Sequence, residues 1–493
     1  MITDDTNVGR VTVLGFRVSF RILILALGLC SVSCQTTEKK PHILIVVLDT
    51  VRADRNLIYG YERDTTPNLT RIARDGVVFD NAWAPAAWTW PSHASLFTGE
   101  PPWKHGAVSA KADSPTSMSA GNFTIEPLRS DLPTLAEELN ELGYSTICVS
   151  TNSLLSPELG LTRGFDQVET HKADRDTINS ASRLLAKHDS SSEPVFMVVN
   201  LLSAHAPWTT TPAEWSKRHS NRLKEDGCPE WACPFIENST LNLYDSPNGP
   251  AGLYHFMAGA LEIDREGLDL IGDLYDGQLS LVDHHLGKME SLWRRFAPQG
   301  ALVIVSDHGE HLGERRLMDH GHTVYPEETK IPMVVSWPGT VQPGRVSTGV
   351  MLQDLTWTAL EWAGRESSRF TLDDAIKGQA RPEPIQASNF VNHGAAKLMR
   401  DAGSSTSPLT QGWWLHIEDN FAMVAGHEHT KELYDLKSDP SMRVNVSAQH
   451  ADKVTKLEQR LPKPPSPTQI SGPTPDIPED VTERLRALGY VAD

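Results

Sequence analysis

Cysteine is scarce in this chain, with five residues in 493. That excludes a small fold stapled by disulfides. Cys228 and Cys233, in CPEWAC, are spaced for a small loop disulfide in an oxidising compartment, and they are too few for a zinc site by themselves. Clusters of Lys and Arg are missing as well. The 45 basic residues face 63 acidic ones, a formal charge of −18, so no nucleic-acid partner is expected. The same acidity offers no general attraction to polyanions, and any such attraction must be local. No internal repeat is visible. The N-terminal apolar run, ILILALGLC, is about ten residues long, too short to span a bilayer.

That run still has a direction. Arg17 and Arg21 precede it, and Ser31-Val32-Ser33-Cys34 follows with small residues before a Cys, as at a bacterial lipoprotein cleavage site. Residues 1–40 are therefore read as a leader and tether. The expected outcome is export to the bacterial cell envelope or periplasm, with membrane association through a lipid anchor on Cys34. Ser31, where such sites carry Leu, leaves plain signal cleavage or an uncleaved anchor as alternatives.

Two stretches carry the chemistry. HILIVVLDTVRAD and ALVIVSDHGEHLGE hold apolar runs without polar alternation, the pattern of strands covered on both faces of a parallel sheet. They end in Asp49 and in Asp307-His308. In open α/β sheets, ligands bind outside the carboxyl ends of the strands. Asp49, Asp307 and His308 are therefore read as ligands of one divalent cation. Two carboxylates and an imidazole suit Ca²⁺, Mn²⁺ or Mg²⁺, and Zn²⁺ if more histidines join. Helix capping would explain either Asp alone and is the weaker reading for the pair with its His.

In WAPAAWTWPSHASLFTG, Thr89 stands at or just before the start of a helix, with Pro91 tolerated in its first turn. A hydroxyl there, beside a cation and a helix N-terminus, can act as a nucleophile towards an anionic ester. The alternative is an ordinary N-cap. His205 closes another apolar run, VFMVVNLL, and is read as the proton donor to a departing alkoxide or phenoxide. His311 is expected on a helix surface, and Asp283, His284 and His285 on the exposed side of a long helix. Asp54 either supports the site or closes a loop salt bridge with Arg52.

Taken together, PHILIVVLDTVRADRNLIYGY, TTPNLTRIARDGVVFDNAWAPAAWTWPSHASLFTG, TLAEELNELGYST, NLLSAHAPW, IVSDHGEHLGE, DHGHTVYPEETKIPMVV and ELYDLKSDP resemble the sulfatase family of the alkaline phosphatase superfamily. They run in the family's order over roughly residues 41–440. The resemblance implies an alkaline-phosphatase-like α/β fold, a mixed and mostly parallel sheet flanked by helices, with a small C-terminal α+β subdomain. Thr89-Trp90-Pro91-Ser92-His93 falls on the family's Cys/Ser-x-Pro-Ser-Arg motif. Asp49 matches its first metal aspartate, Asp307-His308 its later metal pair, and His205 its His-x-Pro.

The departures matter too. Family sulfatases convert the Cys or Ser to formylglycine; Thr89 would not yield an aldehyde. His93 replaces the motif's Arg, and Thr50 the second metal aspartate. Ser150-Thr151-Asn152-Ser153 replaces a stretch with a sulfate-gripping Lys and a His. Asn152, His320 and His322 are the residues left to bind substrate, with Thr89, His93 and His205 catalytic. The expected activity is metal-dependent hydrolysis of a small-molecule, glycan or lipid anionic ester: sulfuric by resemblance, phosphoric or phosphonic by the chemistry of Thr89. Transfer of a phospho-group to an envelope lipid or glycan, or a catalytically silent binding protein, are the alternatives.

The expected layout follows. The catalytic domain spans residues 41–385, with an insertion at 209–262 that shapes the substrate entrance. A C-terminal subdomain covers 386–461, where WWLHIEDN and FAMVAGHE read as a hairpin. Residues 462–493 are a Pro-rich linker and a terminal helix whose Leu485, Leu488 and Val491 pack back on the domain.

Overall fold

The computed structural model describes residues 39–487, apart from 111–113, 115–116, 121–122, 192, 207, 209–218, 220–250, 402, 404–407, 428–429 and 463–476. The leader with Cys34, the Cys228–Cys233 pair, most of the 209–262 insertion, Leu488 and Val491 lie outside the described residues. Among those described, no helix is long and apolar enough to cross a membrane.

Eight strands form the central sheet: β1 (Ile43–Leu48), β2 (Val77–Phe79), β3 (Ser145–Ser150), β4 (Gln167–Thr170), β5 (Val195–Leu201), β6 (Ala301–Val305), β7 (Met333–Ser336) and β8 (Gly344–Val346). Their spatial order is β8-β2-β7-β6-β1-β5-β3-β4. Strand β7 runs antiparallel to both β6 and β2, and every other pairing is parallel.

Successive strand residues point to opposite faces, and here both faces are apolar. Ile43, Ile45 and Val47 of β1 pack with Phe196, Val198, Val303 and Val305 on one side. Leu44, Val46 and Leu48 pack with Met197, Val199, Leu302 and Ile304 on the other. Such strands need helices on both sides. Helix α1 (Pro67–Arg74) and the 32-residue α3 (Arg265–Phe296) cover the second face through Leu69, Ile72, Ile271, Leu274 and Leu279. Helix α2 (Thr89–Thr98) covers the first through Trp90, Ala94, Leu96 and Phe97. The terminal helix α4 (Glu479–Ala487) adds Val481 and Leu485 to that same cluster.

The packing of α3 overturns one expectation. Asp283 is buried, and its two oxygens accept N–H groups from Leu69 (2.8 Å) and Asn68 (2.9 Å) at the start of α1. His285 is buried as well, while His284 is half-buried. The segment is not a solvated face, because α3 packs against both the sheet and α1 and caps its neighbour with Asp283.

Beyond the sheet, β9 (Ile385–Asn389), β10 (Trp413–Glu418), β11 (Phe421–Gly426) and β12 (Lys431–Asp435) form an antiparallel sheet in that order. The β10–β11 hairpin turns through Asp419 and Asn420 at φ 53 and 62, left-handed values that Asp and Asn tolerate in tight hairpins. Its core, including Leu415, Val424 and Tyr434, rests on Val324 and Tyr325, which follow the histidines of the DHGH segment.

Candidate active site

Three parallel strands, β6-β1-β5, deliver their carboxyl ends to one place. Asp49 follows β1, Asn200 lies near the end of β5, and Asp307-His308 follow β6 by one residue. Two local features hold the turns. A Cβ on Gly309 would stand 2.1 Å from the Glu327 carbonyl oxygen, so only glycine lets the chain leave the Asp307-His308 turn there. Thr50 sits at φ 59, a strained conformation for a β-branched residue. It is pinned on both sides: its N–H donates to Asp307 Oδ1 (3.3 Å), and its carbonyl accepts the Tyr275 hydroxyl (2.7 Å), which itself accepts the Arg52 N–H (3.0 Å). Arg52 grips Asp54 with two hydrogen bonds of 2.9 and 2.8 Å, so Asp54 closes a loop salt bridge.

The structure brings Asp49, Asp307 and His308 together, with one ligand atom of each within 4.8 Å of the others. All three are fully buried. Asp49 Oδ2 accepts amide N–H groups from Asn152 (2.9 Å) and Asn200 (3.1 Å). Asp307 Oδ1 accepts the backbone N–H groups of Thr50 and His308. The other oxygens, Asp49 Oδ1 and Asp307 Oδ2, receive no hydrogen bond of acceptable geometry. With Nδ1–H given to the Gly309 carbonyl (2.9 Å), His308 turns the lone pair of Nε2 towards them, 3.8 Å from Asp49 Oδ1 and 3.4 Å from Asp307 Oδ2. Two bare carboxylate oxygens and an imidazole lone pair, converging in a buried space, fit one divalent cation. Burial and the nearby Asp307 charge push Asp49 up to about 7. Burial acts the same way on Asp307, but His308, His93 and the N–H donors outweigh it and hold that carboxyl below the usual range. A bound cation would stabilise both ionised forms.

Thr89 is the first residue of α2, with Trp88 as its N-cap. Its Oγ1 accepts from Asn152 Nδ2 (3.2 Å) and lies 3.3 Å from His308 Nε2. The hydroxyl thus borders the cation site without belonging to the triad. His93, one turn along α2, places Nδ1 3.2 Å from the Thr89 carbonyl and 3.4 Å from Asp307 Oδ2. Its Nε2 faces Asn200 Nδ2 at 3.5 Å. Asn152, expected to bind substrate, here donates to both Thr89 Oγ1 and Asp49 Oδ2.

Asn200 escaped the sequence reading. Its signal was present: a single amide inside the buried run VFMVVNLL, where an unpaired polar group is costly. The amide is satisfied on both ends, accepting from Ser150 Oγ (3.2 Å) while it donates to Asp49.

A second group lies alongside. The His320 ring packs between His205 and His308, with centroids 4.7 and 4.6 Å away. His320 Nδ1 lies 3.0 Å from Glu310 Oε1 and 2.8 Å from Asp319 Oδ1. Burial pushes His205 down to about 3, so its imidazole is neutral near pH 7, with Nδ1–H on the Ala206 carbonyl. His322 is buried and neither ring nitrogen has a hydrogen-bond partner.

His311 is not on a helix surface. It lies fully buried in a two-residue strand paired with Met318–Asp319, its Nε2 3.2 Å from Glu328 Oε2. Helical spacing misled there, because Gly309 and Gly313 set the local backbone. Glu328 also accepts the N–H groups of His322 and Thr323 (both 2.9 Å), so it ties down the loop carrying His320. Burial opposes its charge, but His311, His322 and those donors hold it at about 2, from an ordinary 4.5. Its contribution to stability is thus present above about pH 4.5 and lost as the pH falls towards 2. His311 is shifted upward, burial opposing and Glu328 prevailing, so its share is present at low pH and lost as the pH rises through that raised value. Breaking such a buried pair costs about 3–5 kcal/mol. Glu328→Gln is expected to lose that much in a denaturant melt, and to flatten the acid limb between pH 4.5 and 2. An unchanged midpoint would remove Glu328 as the anchor of this loop.

Several known proteins are similar to this chain. An uncharacterized sulfatase of Escherichia coli is 24% identical, covering 86% of each chain. An N-acetylgalactosamine-6-O-sulfatase of Bacteroides thetaiotaomicron is 22% identical, covering 86% of this chain and 93% of its own. Among solved structures, the phosphonate monoester hydrolase of Agrobacterium radiobacter superposes with a TM-score of 0.60 at 17% identity, covering 85% of this chain and 94% of its own. The sequence profile of the sulfatase family matches residues 41–365, a span that contains every residue of the site, and the chain belongs to that family.

Proposed function

We propose that the protein hydrolyses an anionic ester through direct attack by Thr89, and that phosphate and phosphonate esters turn over faster than sulfate esters. The observation that carries this reading is Thr89 Oγ1 at the start of α2, 3.2 Å from the Asn152 amide and 3.3 Å from His308 Nε2. A divalent cation on Asp49, Asp307 and His308 would polarise the ester's non-bridging oxygens and favour the ionised hydroxyl. The rest belongs to the chain. Asn152 donates to the attacking oxygen, and the N-terminal N–H groups of α2 favour the substrate's negative charge. His93 supports the helix turn from behind, between Asp307 and Asn200. His205 starts neutral; protonating the leaving oxygen requires it first to gain a proton, which a bound anion favours. His320 and His322 are the remaining histidines assigned to substrate binding.

Attack leaves the acid group on Thr89. A formylglycine hydrate would expel sulfate through its second hydroxyl, whereas a Thr ester has none. Water must therefore attack the central atom, displacing Thr89 Oγ1, which is easier at phosphorus than at the sulfur of a sulfate ester. With p-nitrophenyl sulfate, phosphate mono- and diesters and a phosphonate monoester assayed side by side, the phosphorus esters are expected to dominate. A clear excess of sulfate turnover would overturn this preference. The named relatives include an enzyme of sugar sulfates, which supports a glycan leaving group.

The leader carries a separate proposal: export, with lipid attachment at Cys34. Cys34→Ala is expected to turn a membrane-associated protein into a soluble exported one. A wild-type protein already found in the soluble periplasmic fraction would contradict lipidation and leave export standing.

A further inference from the structure

We propose that the terminal helix α4 is a clamp on the turn that carries Asn152, with Val481, Arg484 and Leu485 as positioning residues. The clamp keeps the Asn152 amide aimed at Thr89 and Asp49, a role that rests on reading Asn152 as the donor to the attacking oxygen.

The Asn152 amide is fully used. Its Nδ2 donates to Asp49 Oδ2 (2.9 Å) and to Thr89 Oγ1 (3.2 Å), while its Oδ1 accepts the backbone N–H of Leu154 (2.9 Å). Turned end for end, the amide would set its own N–H groups against that N–H and its oxygen against the Asp49 carboxylate. The Leu154 N–H thus decides which end of the amide faces the site. Leu154 lies in a single 3-10 turn, Ser153–Leu155, too short to hold its own shape.

Packing holds it instead. Leu154 and Leu155 are fully buried in the same apolar cluster as Val481 and Leu485, and α4 lies against this turn. Val481 and Leu485 are four residues apart, so they share one face of the helix. A polar hold adds to the apolar one. Arg484 Nη1 donates to Thr170 Oγ1 (2.7 Å) at the end of β4, and Thr170 pairs in register with Ser150, the last residue of β3. Ser150 Oγ accepts the Asn152 N–H (2.9 Å). The helix therefore grips the chain before Asn152, through β4 and β3, and after it, through Leu154 and Leu155. Nine residues make α4 too short to persist in water undocked, so loosening its contacts frees the turn. The central strands keep their own apolar packing on both faces.

The test is a double-mutant cycle on the full chain, with the p-nitrophenyl ester that the wild type turns over fastest. Asn152→Ala is expected to lower kcat roughly 10- to 100-fold, the scale of one hydrogen bond to a charged group. Leu485→Ala and Arg484→Ala should each lower kcat by a part of that factor, with KM little changed. Combined with Asn152→Ala they should cost nothing further, because they act through that amide. Arg484→Lys, which keeps a donor for Thr170, should recover most of the loss. Hydrogen exchange read by mass spectrometry should quicken over residues 150–156 in both helix variants and stay at the wild-type rate in α3. Should Leu485→Ala fail to fold, Arg484→Ala, altering a half-buried side chain, carries the test alone. Wild-type kcat in the helix variants, or a loss that multiplies undiminished with that of Asn152→Ala, overturns the proposal. Wild-type turnover in Asn152→Ala refutes the donor role of Asn152 instead, and exchange over residues 150–156 then decides whether α4 holds the turn.

Discussion

Asp307→Ala is expected to empty the cation site and to lower turnover by roughly 10³-fold or more, the scale of several kcal/mol of lost charge stabilisation. The carboxylate has two duties. Oδ1 accepts the N–H groups of Thr50 and His308, while Oδ2 faces the cation position with His93 and His308 3.4 Å away. Alanine removes both. Asparagine keeps an acceptor for the N–H groups and removes only the charge, so it separates loss of the cation from loss of the turn. The sheet should survive either change, since the strands are held by their own apolar contacts on both faces. Elemental analysis of the purified variants decides the matter. Full occupancy in Asp307→Ala would mean that the ligands have been misidentified.

Thr89→Ala is expected to be as damaging to turnover, roughly 10⁴- to 10⁶-fold, the order seen when a covalent nucleophile is deleted. Cation content should change little, because the triad is complete without the hydroxyl. That split between activity and metal distinguishes this variant from Asp307→Ala. Mass spectrometry of the native peptide should find Thr89 unmodified or phosphorylated. Thr89→Ser restores a hydroxyl, and with it the residue type that relatives mature to formylglycine; partial activity without modification is the expected outcome. Turnover at the wild-type level in Thr89→Ala would show that water attacks the substrate directly.

The apolar runs of β1, β5 and β6 were legible residue by residue, because a strand covered on both faces has nowhere to place a polar side chain. Their ends were legible for the same reason: Asp49, His205 and Asp307-His308 stand where the apolar pattern stops. Pro91 and the small residues after it announced the start of α2 at Thr89. What the sequence by itself determined was therefore a set of rigid elements and the chemical groups at their tips. Which groups meet was decided only by the tertiary structure. Asn152 reaches Asp49 across 103 residues, and Asn200 reaches His93 across 107; no local periodicity encodes such pairs. Glu310 was hidden because an acidic residue in a polar loop looks solvated until folding buries it. His311 and Asp283 were misplaced for the converse reason. Local spacing says which side of an element is polar, whereas only packing says whether that side meets water, a capped helix or a buried carboxylate.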